Sequence, residues 1–148
     1  MSCQHFRENH PACTDCNWHP IVTAQENKSK YVLKNPHHIE VCKIQVDDCV
    51  ITSNAENKCD FLFLTCETDK AFFVELKGRD LSHAIDQIDH SINVLINQPE
   101  KYAINARVVL SKAQTPDLRT LKYKKFKEKM RRLGGTFVHK NKIMEETL

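Results

Sequence analysis

Three charged side chains inside a largely apolar pair of segments are the chain's best candidates for chemistry. The segments are Lys58–Cys66 and Ala71–Gly78, separated by the polar stretch Glu67–Lys70, and their distal halves carry Asp60, Glu75 and Lys77. A hairpin with its turn at Glu67–Lys70 pairs Cys66 with Ala71, sets Asp60 opposite Lys77 and leaves Glu75 diagonal to Asp60. Side chains alternate faces along a strand, and directly opposed residues share a face. The three charges are therefore expected together on one face at one end of the hairpin. Two carboxylates beside an ammonium group give a hard divalent cation its oxygen ligands and place a cation next to its bound water. Metal-assisted phosphodiester hydrolysis uses that set of groups. An exposed ion-pair cluster would use the same residue types for little gain. The neighbours Phe61, Leu62, Phe63, Leu64, Phe72, Phe73, Val74 and Leu76 weigh against it, being apolar on both faces. Such strands belong inside a covered sheet, where unpaired charge is costly.

Asp60 followed fifteen residues later by Glu75-Leu76-Lys77, in a hydrophobic hairpin leading straight into a helix, resembles the PD-(D/E)XK nuclease superfamily. The resemblance lies in pattern rather than identity and spans roughly residues 40 to 110. It implies an α/β fold of the restriction-endonuclease-like kind, with a central mixed β-sheet flanked by helices. It also implies a nuclease using Mg²⁺ or Mn²⁺, with DNA before RNA as substrate. Asp60, Glu75 and the backbone carbonyl of Leu76 would hold the metal, and Lys77 would assist the attacking water. Family members often add a glutamate from the first helix, a place that falls to Glu26, with Asp47 and Asp48 as alternatives. Gln87, ten residues beyond Lys77, matches a glutamine that several branches carry on the following helix. One branch places a tyrosine four residues further on, where this chain has Ser91. A non-catalytic nucleic-acid-binding or partner-binding module on the same fold is the alternative reading.

Charge is unevenly distributed. Between Lys112 and Lys142 eleven Lys and Arg face only Asp117 and Glu128, giving +9; with +3 for the whole chain, the remainder carries −6. Basic residues gathered in one element are the usual footprint of a polyanion site. Arg119, Lys122, Lys125, Lys129 and Arg132 are the candidate phosphate contacts, which position a protein without reading sequence. Their other reading is a solvated helix surface.

The amino-terminal Cys3, His5, Cys13, Cys16 and His19 are rich enough in soft and borderline ligands to hold a structural Zn²⁺, with Cys13-x2-Cys16 as a half-site. A flexible tail explains them equally well. Seven cysteines is an odd number, and Cys42, Cys49, Cys59 and Cys66 fall in or beside expected strands, as free thiols acting as small hydrophobes. Together with a polar amino terminus, this reads as a reduced, cytoplasmic protein. No apolar run approaches eighteen residues, so no membrane span is expected.

The elements that must position these groups follow from periodicity. At 148 residues the chain holds one core. Residues 1–20 form the Cys/His-rich segment and 21–148 a single domain. Val22–Tyr31 reads as a short helix stopped before Pro36, and Ile39–Ile51 as one or two strands with a turn near Asp47-Asp48. Asp80 or Ser82 caps a helix reaching about Gln98, closed by Pro99. Ala106–Leu110 is a buried strand, parallel to its neighbour because a helical crossover precedes it. A second helix starts at Thr115-Pro116, carries the stripe Leu118, Leu121, Phe126, Met130 and Leu133, and ends at Gly134-Gly135. Thr136–His139 adds an edge strand. A nuclease this small would pair as a homodimer or join a larger complex.

Overall fold

The computed structural model describes residues 2–148 apart from 55–56, 79, 98–100 and 112–117, and of Lys77 and Gly78 the backbone alone. A six-stranded mixed sheet carries the fold. Its members are β1 (Thr14–Asn17), β4 (Val41–Gln45), β5 (Phe61–Thr65), β6 (Lys70–Gly78), β7 (Ala103–Leu110) and β8 (Phe137–Asn141), side by side in that order. The first four strands pair antiparallel; β7 and β8 join parallel to β6. Helix α2 (Leu81–Leu95) makes the crossover from β6 to β7, as the parallel pairing requires. Both faces of the sheet are covered. Leu62, Leu64, Phe73, Ile104, Ala106 and Val108 pack with α2, with α1 (Cys3–Asn9) and with α3 (Leu121–Arg132). Phe63, Phe72, Val74, Leu76 and Val109 pack with a second, three-stranded sheet of β2 (Ile21–Glu26), β3 (Ser29–Lys34) and β9 (Ile143–Thr147). The result is a mixed α+β fold with a mixed sheet flanked by helices.

Val22–Tyr31, expected as a helix, is instead most of the β2–β3 hairpin. Val22 and Ala24 alternate inward, then Tyr31 and Leu33, so the period is two rather than 3.6. Asn27 at φ 49° supplies the left-handed turn residue between them, a conformation that Asn tolerates better than most. The second sheet is locked to the first by Arg107. This residue is buried under β9, its Nε is 2.9 Å from both carboxylate oxygens of Glu146, and Tyr31 donates its hydroxyl to the same carboxylate. Burial is the main reason the Tyr31 phenol is pushed far up, and the adjacent Glu146 charge adds to it.

Helix α2 begins as expected, with Asp80 accepting a hydrogen bond from the Ser82 N–H at 2.9 Å. Its expected end at Gln98-Pro99 lies outside the described residues; the helix itself closes at Leu95. The expected start of the basic helix at Thr115-Pro116 also lies outside them. The helix begins at Leu121, where the Thr120 side chain accepts from the Tyr123 N–H. Leu118 and Leu121 are exposed, so the buried stripe of α3 is shorter than its periodicity suggested and rests on Phe126 and Met130.

Residues 1–20 are not a loose segment among the described residues. Cys3 and Phe6 are buried in the main core, and β1 extends the sheet. The cysteines are joined as Cys3–Cys66, Cys13–Cys49 and Cys16–Cys42, and only Cys59 remains a buried free thiol. This corrects the expectation of reduced thiols packed as hydrophobes. Disulfides persist in oxidising surroundings, so the pairing does not support a cytoplasmic location. Among the described residues no helix is long and apolar enough to cross a membrane.

Gly134 and Gly135 end α3 in a Schellman arrangement: the Gly135 N–H reaches the Met130 carbonyl, the Gly134 N–H that of Arg131, and Gly134 sits at φ 82°. A Cβ on Gly135 would lie 2.0 Å from the Ile104 carbonyl oxygen. Gly135→Ala is therefore expected to cost about 2 kcal/mol or more in chemical denaturation, by forcing α3 away from β7.

Candidate functional site

The hairpin turn occupies Cys66–Asp69, one residue earlier than expected, so Thr65 rather than Cys66 opens it and pairs with Lys70. Moving a four-residue turn by one position slips the register by two. Phe61 faces Val74, and the same register carried one step further sets Asp60 beside Glu75 instead of Lys77. A slip of two preserves which side chains share a face, whereas a slip of one would have reversed them. Asp60 and Glu75 thus meet on the face covered by α2, each 4% exposed. Lys77 continues β6, and its side chain lies outside the described residues.

Strand β5 stops at Phe61 while β6 runs on, and the Asp60 side chain takes over where the ladder ends. Its Oδ2 accepts the Leu76 N–H at 2.7 Å, and its own N–H donates to the Val74 carbonyl at 3.1 Å. One step beyond Glu75 the pairing of β6 with β7 shifts register, with Glu75 facing Val108 and Gly78 facing Leu110. Such bulges redirect side chains at strand ends. Both carboxylates also lie near the buried Cys59 thiol, which burial pushes up and their negative charge pushes up further.

Helix α2 fixes the approach to Asp60 from above. Ser91 accepts the Cys59 N–H at 2.8 Å and donates to the Gln87 carbonyl, while the Gln87 side chain donates to the Lys58 carbonyl at 3.3 Å. Gln87 therefore holds the backbone two residues before Asp60. Ser91, a departure from the family pattern, is fully buried and pins this segment. Its signal in the sequence was a hydroxyl inside the apolar stripe Ala84, Ile88, Ile92, since a polar group buried there must be paired.

The other candidates sort differently. Glu26 ends β2 instead of riding on a helix, and belongs to the layer on the opposite face of the main sheet. The Lys30 N–H bonds to the Lys142 carbonyl, and the Lys142 N–H to that of Leu110, so the β2–β3 turn lies at the sheet end where Glu75 sits. One oxygen of the Glu26 carboxylate and one of Glu75 are sealed from solvent. Asp47 and Asp48 both pair with Lys58, at 3.3 and 3.0 Å, which closes the turn after β4. The five zinc candidates are not brought together. Cys13 joins Cys49, His5 and His19 are exposed, and Cys3 and Cys16 go to a different cluster with Cys42 and Cys66.

Of the five basic candidates, Lys122 and Lys129 turn toward α2. Lys122 Nζ is 2.7 Å from Asp86 and also bonds Ser82, and Lys129 pairs with Asp89 and Asn93. The two helices therefore run side by side in the same direction, with the start of α3 next to the start of α2. Since α2 follows directly on β6, the basic helix begins at the carboxylate end of the sheet. Lys124, Lys125, Lys127, Arg119 and Arg132 are exposed. An open groove of about 760 Å³ lies between the helices, lined by Ile85 and Phe126 at its floor and by Lys125 and Arg132 at its rim.

No family model matches the chain, and neither does any curated protein or solved structure.

Because Asp60 Oδ2 satisfies a buried N–H, its substitutions should separate by shape. Asp60→Asn keeps an oxygen acceptor and should remain close to wild type in thermal unfolding. Asp60→Leu leaves the Leu76 N–H unpaired and should lose about 1–3 kcal/mol. Ser91→Ala, which orphans the Cys59 N–H, should behave like the second.

Proposed function

We propose that this chain is a metal-dependent phosphodiesterase with a restriction-endonuclease-like core, hydrolysing nucleic acid, DNA before RNA. The observation that carries the reading is the pair of carboxylates, Asp60 and Glu75, buried side by side where a covered sheet runs out. A Mg²⁺ ion fits the donor set: it takes hard oxygen ligands from one or two carboxylates and keeps several waters. Asp60 and Glu75 would offer carboxylate oxygens, and the Leu76 carbonyl would be the third donor. Bound there, the metal would supply an activated water and neutralise charge on the phosphate. Lys77 follows on the same strand to assist that water, Gln87 positions the Asp60 segment, and Glu26 contributes negative charge from the neighbouring layer.

The exposed cations of α3 support the same reading, since the helix starts beside the carboxylate end of the sheet. Phosphates gripped by Arg119 and Lys125 would lie toward that end, and Arg132, at the far end of α3 beside Thr68 and Asp69, would extend the contact along the helix. The bond from Asp60 to the Leu76 N–H favours a second reading, a non-catalytic binding module in which Asp60 serves to hold the backbone.

Incubation with plasmid, linear and single-stranded DNA and with RNA, in Mg²⁺, Mn²⁺ or EDTA, separates the two. Cleavage should require the divalent ion. Glu75→Gln and Asp60→Asn should each lower it at least about a hundredfold while binding persists, and Lys77→Ala should lower it with metal affinity less affected. Cleavage that survives EDTA refutes the metal mechanism, and folded wild-type protein inert on every substrate supports the binding module instead.

The basic helix has its own test. Binding should weaken with salt at a slope near −0.9 per duplex phosphate contact. Reversing Lys125 and Arg132 to Glu should raise Kd and flatten that slope with the fold intact. Reversing Lys122 and Lys129 should instead also lower the melting temperature, because these two lysines hold α3 to Asp86 and Asp89.

A further inference from the structure

At the end of the sheet opposite the carboxylates, the sulfurs of Cys3, Cys42 and Cys66 meet, and that of Cys16 is bonded to one of them. Cys3 opens α1, Cys16 lies in β1 directly across from Cys42 in β4, and Cys66 begins the β5–β6 turn. Cys3 is bonded to Cys66 and Cys16 to Cys42, and the two bonds touch: Cys42 Sγ lies 3.5 Å from Cys66 Sγ. The sulfurs of Cys3, Cys42 and Cys66 all fall within 4.8 Å of one another. A tetrahedral zinc with Zn–S bonds of about 2.3 Å sets its thiolates roughly 3.8 Å apart. The contact between the two disulfides already has nearly that spacing. Cys3 and Cys42 are buried, whereas Cys16 and Cys66 are half-buried and open one side to small reagents. The Cys13–Cys49 bond stands apart from this group, and Cys59 is a lone buried thiol.

We propose that Cys3, Cys16, Cys42 and Cys66 form a redox-gated zinc site, with the two disulfides as its oxidised state. Each disulfide takes two electrons and two protons from a small-molecule or protein dithiol, which leaves as its own disulfide. Binding of Zn²⁺ then releases the four thiol protons to solvent. In the reverse direction, two equivalents of a peroxide accept four electrons and four protons to become water and alcohol or water alone, two disulfides form, and Zn²⁺ departs. Thiolate ligands select zinc over the hard ions suited to carboxylates, so the two ends of the sheet would not compete for one metal. In either state the cluster ties α1 and β1 to the main sheet, which a polar segment of this length would not hold by packing alone.

The test uses the full chain purified under a non-thiol reductant without added zinc. About one zinc per chain is expected by elemental analysis, and cobalt exchanged into its place should show the thiolate charge-transfer and tetrahedral d–d bands of a four-sulfur site. Cys16→Ser and Cys66→Ser should lose the metal, whereas Cys13→Ser and Cys59→Ser should keep it. Peroxide should release the zinc to a chromogenic chelator as Cys3–Cys66 and Cys16–Cys42 peptides appear by mass. Reduced protein without zinc and without the cobalt spectrum overturns the proposal, as does zinc retained in Cys16→Ser and Cys66→Ser together. The cobalt spectrum of the wild-type chain keeps the test decisive if a serine variant fails to fold.

Discussion

A buried N–H must find an acceptor, and one such group organises the charged end of this molecule. Where β5 ends, β6 continues, and the Leu76 N–H points at a place that no strand fills. Asp60 answers it with a side-chain oxygen. Doing so brings a carboxylate into the interior, beside the carboxylate that the register places next to it. Helix α2 then has to hold the Lys58–Asp60 backbone in place, and Ser91 and Gln87 provide the contacts. One unmet backbone donor thus accounts for a buried acid, its neighbour and a hydroxyl in the stripe of a core helix.

The covered sheet explains why those acids are of interest. Its two faces are sealed by unlike layers, helices on one side and a small sheet on the other. Apart from the Arg107–Glu146–Tyr31 group that joins the layers, the candidate chemistry lies at the strand ends, where side chains can reach both the dry interior and the rim. At one end lie Asp60, Glu75 and the Lys58 ion pairs; at the other lie the sulfurs of Cys3, Cys16, Cys42 and Cys66. Hard oxygen donors and soft sulfur donors are kept a strand length apart. The basic helix is divided as well. Two of its lysines are engaged with acids on α2, and the rest face outward, so its formal charge overstates what a polyanion would meet.

Much was legible from the residues alone, and the physical reasons differ by element. The hairpin, its double-sided burial, α2 with its Asp80 cap, the parallel β7 and the Gly134-Gly135 stop follow from local rules of period, capping and connection length. That Asp60 and Glu75 share a face also followed, because alternation survives a slip of two residues. Their direct apposition did not, since it depends on where a four-residue turn begins, and Cys66 and Thr65 are near equivalent for that purpose. The β2–β3 hairpin was misread because a ten-residue segment with few apolar positions satisfies a helical period almost as well as a strand period. Only pairing with β9, contributed from the far end of the chain, settles it.

Sequence by itself determined which residues could do chemistry and that two of them would sit on one buried face; those are consequences of side-chain type and strand geometry. Tertiary structure alone decided the partners. It gave Asp60 a backbone donor, assigned Asp47 and Asp48 to Lys58, directed Lys122 and Lys129 to α2, and drew Cys42 and Cys66 to the cysteines of the amino terminus. Each of those pairings joins residues distant in the chain. Local periodicity carries no information about them, because they are fixed by which surfaces the packed layers bring into contact.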